Sequence, residues 1–350
     1  RGREVTGAGT LHGAMRVAIL ADIHGNLPAC EAVLEDIARH GADVVVAAGD
    51  LALRGAHPRE TVELLFDRCQ AVLMGNTDCY IAGNYLGGAY REREHWKRDL
   101  LGWTREQLGP ELTRKLGELP FSVRYSPRRG QDLYVCHANP RNLEESVDPT
   151  LDEAALRRFF AHLDAAACAF GHLHFPYRRR FGRMLLADVA SAGIPRDGDV
   201  RPAYGLFTWT PRGWRVQIRR VRYAVRRATQ ALTARRVPGG PLLVHKLLEA
   251  RYRHHGALLE AARRHSGLPP AGGRPLLEAL RHTGGNGGAP AALLALTPPE
   301  GIPAHVEGAG AAALPVMAAA AGLGTGRVDE TDETDASDAA LGDDAAITFR

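Results

Sequence analysis

Short apolar runs, each followed by a polar loop containing glycine, set the rhythm of the first eighty residues. Val17–Ala21 is a continuous apolar run without alternation, the pattern of a strand covered on both faces. Leu27–Arg39 places apolar residues at helical spacing, opens on Pro28 and stops at Gly41, as a capped helix would. Asp43–Ala48 then predicts a second buried strand, Glu60–Arg68 a helix, and Ala71–Met74 a third strand. Strand, polar loop and helix in repetition predict βαβ units feeding a parallel sheet, with ligands gathered at the strands' carboxyl ends.

The pattern changes farther along. Tyr90–Gly117 is polar and predicts two helices forming a lid or side wall, and Phe121–Tyr125 and Leu133–Cys136 predict strands. Asp152–Phe160 reads as a helix and Ala166–Phe170 as a strand. Tyr177–Phe181, Met184–Ala187, Ala203–Trp209 and Trp214–Ile218 predict antiparallel strands, and with them a second sheet. Ala224–Arg235 and Leu242–Arg253 predict closing helices. Gly256–Gly326 is dominated by Ala, Gly, Pro and Leu with little periodicity, and Asp329–Asp344 holds eight acids. Residues 254–350 are therefore expected to be a largely disordered tail behind a folded domain of residues 15–253. Arg1–Ala14 is glycine-rich and lacks the apolar run of a signal peptide, so Met15 is the expected start and residues 1–14 are expected to be disordered or non-native.

Composition narrows the class only modestly. At 350 residues, 45% hydrophobic and 24% charged, the chain has ample core for one large domain or two small ones. The net charge of +4 gives no strong pull toward nucleic acid or anionic membrane, yet arginine dominates Arg178–Arg236 while acid dominates Asp329–Asp344. Five scattered cysteines without a Cys-x-x-Cys spacing argue for a reducing cytoplasm and against a disulfide framework or a thiolate zinc site. No apolar stretch approaches the roughly 20 residues of a membrane span.

The chemistry lies at the strand ends. They read Asp22-x-His24, Gly49-Asp50, Gly75-Asn76, His137 and Gly171-His172-x-His174. Alone, Asp22-x-His24-Gly25-Asn26 fits a turn with a helix cap better than it fits a pair of ligands. Together, five elements deliver two Asp, one Asn and four His to one edge of the inferred sheet. Such an imidazole–carboxylate set suits Mn²⁺, Fe, Zn²⁺ or Ni²⁺, and a carboxylate with two oxygens can bridge two ions. Two metals about 3.5–4 Å apart can polarise a phosphoryl group and generate hydroxide at neutral pH. The glycines before Asp50, Asn76 and His172 are expected to permit tight turns that aim those side chains.

These five blocks, in this order, resemble the calcineurin-like metallophosphoesterase superfamily over about Met15–Arg253. Ser191-x-Gly193-x-Pro195-Arg196-Asp197-Gly198-Asp199 and His137-Ala138-Asn139-Pro140-Arg141 are similar to stretches of its small bacterial phosphodiesterase branch. The resemblance implies an α/β fold of two mixed sheets packed as a sandwich with flanking helices. It implies that Asp22, His24 and His174 hold one divalent ion and Asn76, His137 and His172 the other, with Asp50 bridging. Mn²⁺ is the first choice of metal. Asp50, Asn76 and His137 are implied closest to the chemistry, in which hydroxide between the ions attacks a phosphodiester or another small phosphate ester in line.

Some positions depart from the family pattern. Many members carry His after the Asn of the third block, where it assists the leaving group, and this chain has Thr77. A threonine hydroxyl does not titrate near neutral pH and cannot replace it as an acid; His57 is an alternative donor. Asp78 is read as orienting the loop and Asn26 as capping the following helix. Arg54, Arg141 and Arg196 are candidates for gripping phosphate through a guanidinium fork, with surface ion pairing the default for each. Two rival readings remain. One is a nuclease or nucleic-acid partner, resting on Arg178–Arg180 and Arg219–Arg227. The other is a non-catalytic scaffold on the same fold.

Overall fold

In the computed structural model, which describes residues 14–84, 95–252 and 255–266, ten strands form two five-stranded sheets. The first sheet runs β10-β9-β1-β2-β3, with β1 (Met15–Leu20), β2 (Val44–Ala48), β3 (Ala71–Leu73), β9 (Ala203–Thr210) and β10 (Gly213–Arg220). The second runs β4-β5-β6-β8-β7, with β4 (Ser122–Tyr125), β5 (Leu133–Cys136), β6 (Ala167–Phe170), β7 (Tyr177–Phe181) and β8 (Met184–Asp188). Both are mixed: β1-β2-β3 and β5-β6-β8 pair in parallel, while β9, β10, β4 and β7 add antiparallel edges.

Period-two alternation assigns the side chains of each strand to two different cores. Val17, Ile19 and Ala21 face Val135, Ala169 and Ala187 across the space between the sheets, and this layer is continuous and apolar. Ala18 and Leu20 point the other way, into a core shared with Val33 and Ile37 of α1 (Leu27–His40) and Leu65 of α2 (Pro58–Arg68). The second sheet repeats the logic, since Cys168 and Phe170 turn outward onto Phe159 and Phe160 of α5 (Glu153–Phe160). Runs without alternation therefore mark strands buried on both faces, and the fold is an αββα sandwich. A fully buried Ile such as Ile19 contributes about 1.5–3 kcal/mol of transfer free energy.

The α1 helix starts as the sequence expects: the Asn26 side chain accepts the Ala29 N–H, Pro28 lies in the first turn, and Gly41 closes the helix at φ 64°. The polar segment before β4 holds α4 (His95–Leu116), broken at Gly109–Pro110 where φ 72° and ψ 171° are not helical, so two helical arms are present as predicted. The part of that prediction on residues 90–94 lies outside the described residues, as do the expectations for residues 1–13 and 267–350.

One expectation is corrected. The four late strands do not make the second sheet by themselves: β7 and β8 join β6, whereas β9 and β10 pair with β1 in the first sheet. A hairpin satisfies its own local signals, and which sheet edge it completes is a long-range choice. Packed structure also continues past residue 253. After α6 (Val225–Ala234), the α7 helix (Gly240–Glu249) ends at Ala250, in the left-handed region at φ 50°. A further helix, α8 (His255–Ser266), then packs on β7 and buries Leu258, Ala261 and Ala262 in the outer core of the second sheet. Its apolar face is short, two leucines and two alanines, and the Ala-, Gly- and Pro-rich sequence that follows it masks the pattern.

Candidate metal centre

The polar cluster forms where β1, β2, β5 and β6 end together and where α3 (Asn76–Ala82) begins. Parallel alignment of β1, β2 and β3 puts their carboxyl ends at one edge, and the facing sheet brings β5 and β6 to the same place. Asp22, His24, Asp50, Asn76, His137, His172 and His174 converge there, each no more than 4% exposed.

The backbone is bent hard to achieve this. Asp22, His24, Asp50, His172 and His174 occupy the left-handed region, with φ of 55°, 50°, 56°, 71° and 57°. Non-glycine residues pay roughly 1–2 kcal/mol for that conformation, and its concentration at one cluster marks a site selected for geometry rather than stability. Gly49, before Asp50, takes the left-handed turn conformation expected of it at φ 88°, whereas the other two glycines serve differently. Neither Gly75 nor Gly171 lies in the left-handed region; both allow close approach. A Cβ on Gly75 would sit 2.2 Å from Asp50 Oδ1, and one on Gly171 would sit 2.4 Å from Asp22 Oδ2.

The donor atoms separate into two groups that share Asp50. In the first, His174 Nε2 lies 3.2 Å from Asp22 Oδ1, and His24 Nε2 lies 3.1 Å from His174 Nε2 and 3.6 Å from Asp50 Oδ2. In the second, His137 Nε2 lies 3.4 Å from Asp50 Oδ1, 3.1 Å from Asn76 Oδ1 and 3.2 Å from His172 Nδ1. Ligand atoms of Asp22, Asp50 and His137 also fall within 4.8 Å of one another, so Asp22 reaches toward both groups.

Every imidazole is oriented by a main-chain carbonyl. His24 Nδ1 faces Leu53 O, His137 Nδ1 faces Ala48 O, His174 Nδ1 faces Ile194 O, and His172 Nε2 faces Glu144 O. A carbonyl only accepts, so each of these nitrogens carries the ring proton and the inward nitrogen presents a lone pair. Burial drives all four pKa values down, His172 to about 4 and His174 to about 3, with Arg196 and Arg54 adding to the fall at His174. The rings are neutral. Paired lone pairs, as at His24–His174 and His137–His172, cannot hydrogen-bond each other, and buried Asp22 Oδ1 has no hydrogen-bond partner. Burial raises the carboxyl pKa values, that of Asp50 to about 6 with Asp22 reinforcing it. Converging lone pairs and crowded carboxylates are what a divalent cation neutralises, and donors 3–4 Å apart match ions bound at about 2.1 Å. The residues fit a divalent cation.

Other predicted residues separate by position. Arg54 is buried beside the cluster, where its charge offsets the raised pKa of Asp22 and Asp50. Arg196 is buried near His174, with its guanidinium 5.7 Å from the Tyr252 ring. Arg141 is not brought in: it is exposed and donates to Arg158 O. Thr77 is buried, donates its N–H to Asp50 Oδ1, and leaves its hydroxyl without a hydrogen-bond partner. Asp78 accepts from the N–H groups of Asp50, Leu51 and Gly75, holding the loop as expected. His57 lines a small cavity with His24 and Arg54.

Sequence reasoning missed Glu144 and Tyr80. The Glu144 carboxylate accepts from Tyr80 Oη at 2.7 Å and from Asn76 Nδ2 at 3.4 Å, while its carbonyl holds His172. Asn76 Nδ2 also donates to Tyr80 Oη at 3.1 Å, so the amide turns its oxygen toward His137. The i, i+4 spacing of Asn76 and Tyr80 was a readable signal; Glu144, in a polar loop, offered none.

Residues 15–176 match the family model described as calcineurin-like phosphoesterase. The chain is 26% identical over 244 residues to the uncharacterized protein MJ0912 of Methanocaldococcus jannaschii, covering 63% of this chain and 93% of the relative. Its structure resembles a metallophosphoesterase from Sphaerobacter thermophilus at 27% identity and a TM-score of 0.57, covering 68% of this chain and all of that one. It resembles the hypothetical protein PH1004 of Pyrococcus horikoshii equally well in fold, with a TM-score of 0.57 at 19% identity, over 67% of this chain and 98% of that one.

Proposed function

Because this chain carries a calcineurin-like phosphoesterase domain, we propose that it hydrolyses a phosphodiester or another small, nucleotide-like phosphate ester with two divalent cations. The observation that carries the reading is the pair of donor groups sharing Asp50, with its two oxygens turned to opposite groups. Asp22, His24 and His174 would hold one ion, Asn76, His137 and His172 the other, and Asp50 both. Mn²⁺ is the preferred metal, and Fe, Zn²⁺ and Ni²⁺ suit the same donors. Such ions supply Lewis acidity toward phosphoryl oxygens and lower the pKa of water.

The chain's own groups have separate tasks. Carbonyl-bound imidazoles keep fixed tautomers, so the donor set is preorganised before any ligand arrives. Arg54 and Arg196, the two cations buried at the cluster's margin, are the groups to bind and orient the phosphate. Thr77 offers no titrating proton to a departing alkoxide. Substrates whose leaving group needs no protonation are therefore favoured, with His57, which lines the same small cavity as His24 and Arg54, an alternative donor.

A small ester is preferred over nucleic acid. Arg219 pairs with Asp36, Arg220 with Asp197 and Arg227 with Glu31, so much of the Arg219–Arg227 run is already engaged by carboxylates. The test is hydrolysis of a chromogenic phosphodiester in Mn²⁺. Asp50→Asn and His137→Ala are each expected to abolish turnover, and near-normal turnover in both would overturn the two-ion reading.

A further inference from the structure

We propose that Tyr252 is a positioning residue for the metal ligand His174, a role that rests on the two-ion reading of the site. Sequence periodicity places Tyr252 inside a closing helix, but α7 ends at Glu249 and Ala250 turns the chain at φ 50°. Residues 250–252 then run beside the loop that carries Arg196. The Gly198 N–H donates to Ala250 O at 2.6 Å, and Arg251 makes an antiparallel bridge with Asp197. The turn delivers the Tyr252 side chain, 7% exposed, to the outer core of the second sheet, which also holds Leu173 and Phe175.

Three contacts fix His174. A residue's φ and ψ are the rotations between its two flanking peptide planes, so holding both planes holds the residue. Tyr252 Oη donates to Leu173 O at 2.8 Å and fixes the plane before His174. The Arg196 N–H donates to His174 O at 3.0 Å and fixes the plane after it. The third contact holds the imidazole, whose Nδ1 faces Ile194 O at 2.6 Å.

His174 needs such a clamp because its φ of 57° lies in the left-handed region. A non-glycine residue keeps that conformation only where its surroundings over-determine it. Without the Tyr252 hydroxyl, the plane before His174 loses its side-chain anchor and the backbone relaxes toward an ordinary conformation. His174 Nε2 then leaves its place 3.2 Å from Asp22 Oδ1. His172, on the other side of Leu173, is anchored separately: its N–H donates to Asp22 Oδ2 at 2.7 Å and its Nε2 faces Glu144 O. The hydroxyl therefore bears on His174 first. Tyr252→Phe isolates this effect, because the aromatic ring keeps its place 5.7 Å from the Arg196 guanidinium.

The test is calorimetric titration of metal-stripped, full-length protein with Mn²⁺, native against Tyr252→Phe, with turnover of a chromogenic phosphodiester followed at rising Mn²⁺. One of two sites should weaken about tenfold in the variant while the other stays native. In a His24→Ala background, which leaves the site of Asn76, His137 and His172, adding Tyr252→Phe should change nothing further. Excess Mn²⁺ should restore kcat with KM for the ester unchanged, because the ligand is displaced rather than lost. Equal weakening of both sites, or a lower melting temperature with both affinities native, makes Tyr252 a structural residue only and overturns the proposal. Native protein that takes up no Mn²⁺ overturns the two-ion reading and the proposal with it. Native uptake with an unaltered titration in Tyr252→Phe overturns the proposal alone.

Discussion

Replacing Glu144 with alanine should selectively damage the ion site built from Asn76, His137 and His172. The carboxylate accepts from Tyr80 Oη at 2.7 Å and lies 3.4 Å from Asn76 Nδ2. A hydrogen bond to an ionised acceptor contributes about 1.5–3 kcal/mol, and the longer Asn76 contact adds less. Without Glu144, the Tyr80 hydroxyl loses this acceptor and the Asn76 amide is no longer biased to turn its oxygen toward His137. The main-chain carbonyl that holds His172 survives the substitution, so the loss is confined to the side-chain arm. At about 1.4 kcal/mol per tenfold, metal affinity at that site should fall about 10–100-fold, the range known for residues that orient ligands. The site of Asp22, His24 and His174, which Glu144 does not touch, should keep its affinity. Calorimetric titration of metal-stripped protein with Mn²⁺ reads both sites without depending on turnover. Glu144→Gln retains an acceptor oxygen and should recover most of the loss. Two native-affinity sites in Glu144→Ala, with an unchanged melting temperature, would refute the positioning argument.

Other substitutions test other links. Gly75→Ala places a methyl 2.2 Å from Asp50 Oδ1, and the displaced carboxylate should cost Mn²⁺ stoichiometry in the same titration while circular dichroism stays native. Ile19→Ala removes a fully buried side chain from the layer between the sheets and should lower stability by about 2–5 kcal/mol in urea unfolding. Asp36 links α1 to β9 and β10: burial raises its pKa, but hydrogen bonds from Arg219, Tyr204 and Arg39 outweigh this and leave it below the usual carboxylate value. A depressed folded pKa contributes stability above the unfolded pKa of about 3.9 that is lost as pH falls through the folded value. Asp36→Asn should therefore destabilise the protein at pH 7, and its deficit should shrink as pH drops below 4; a deficit that grows toward acid would reverse the assignment.

The strands and most helices were legible because their signals are local. Val17–Ala21 had to be a strand buried on both faces, since five consecutive apolar residues leave no polar side for water. Asn26, Pro28 and Gly41 fixed the limits of the first helix by backbone chemistry alone. The donor set was legible for a related reason: each member sits at a strand or helix end, where parallel topology must bring loops together. Three features were decided only by the tertiary structure. The partner of the β9–β10 hairpin is β1 because the first sheet has an open edge there, a fact contained in no window of sequence. Leu258, Ala261 and Ala262 become a buried helix face only through their packing on β7 and the outer core of the second sheet. Glu144 joins the site from a loop with no periodicity at all. Sequence determines what a segment can form and which side it must hide; the identity of the surface that hides it, and of the side chains that arrive from elsewhere, is settled by long-range closure of the fold.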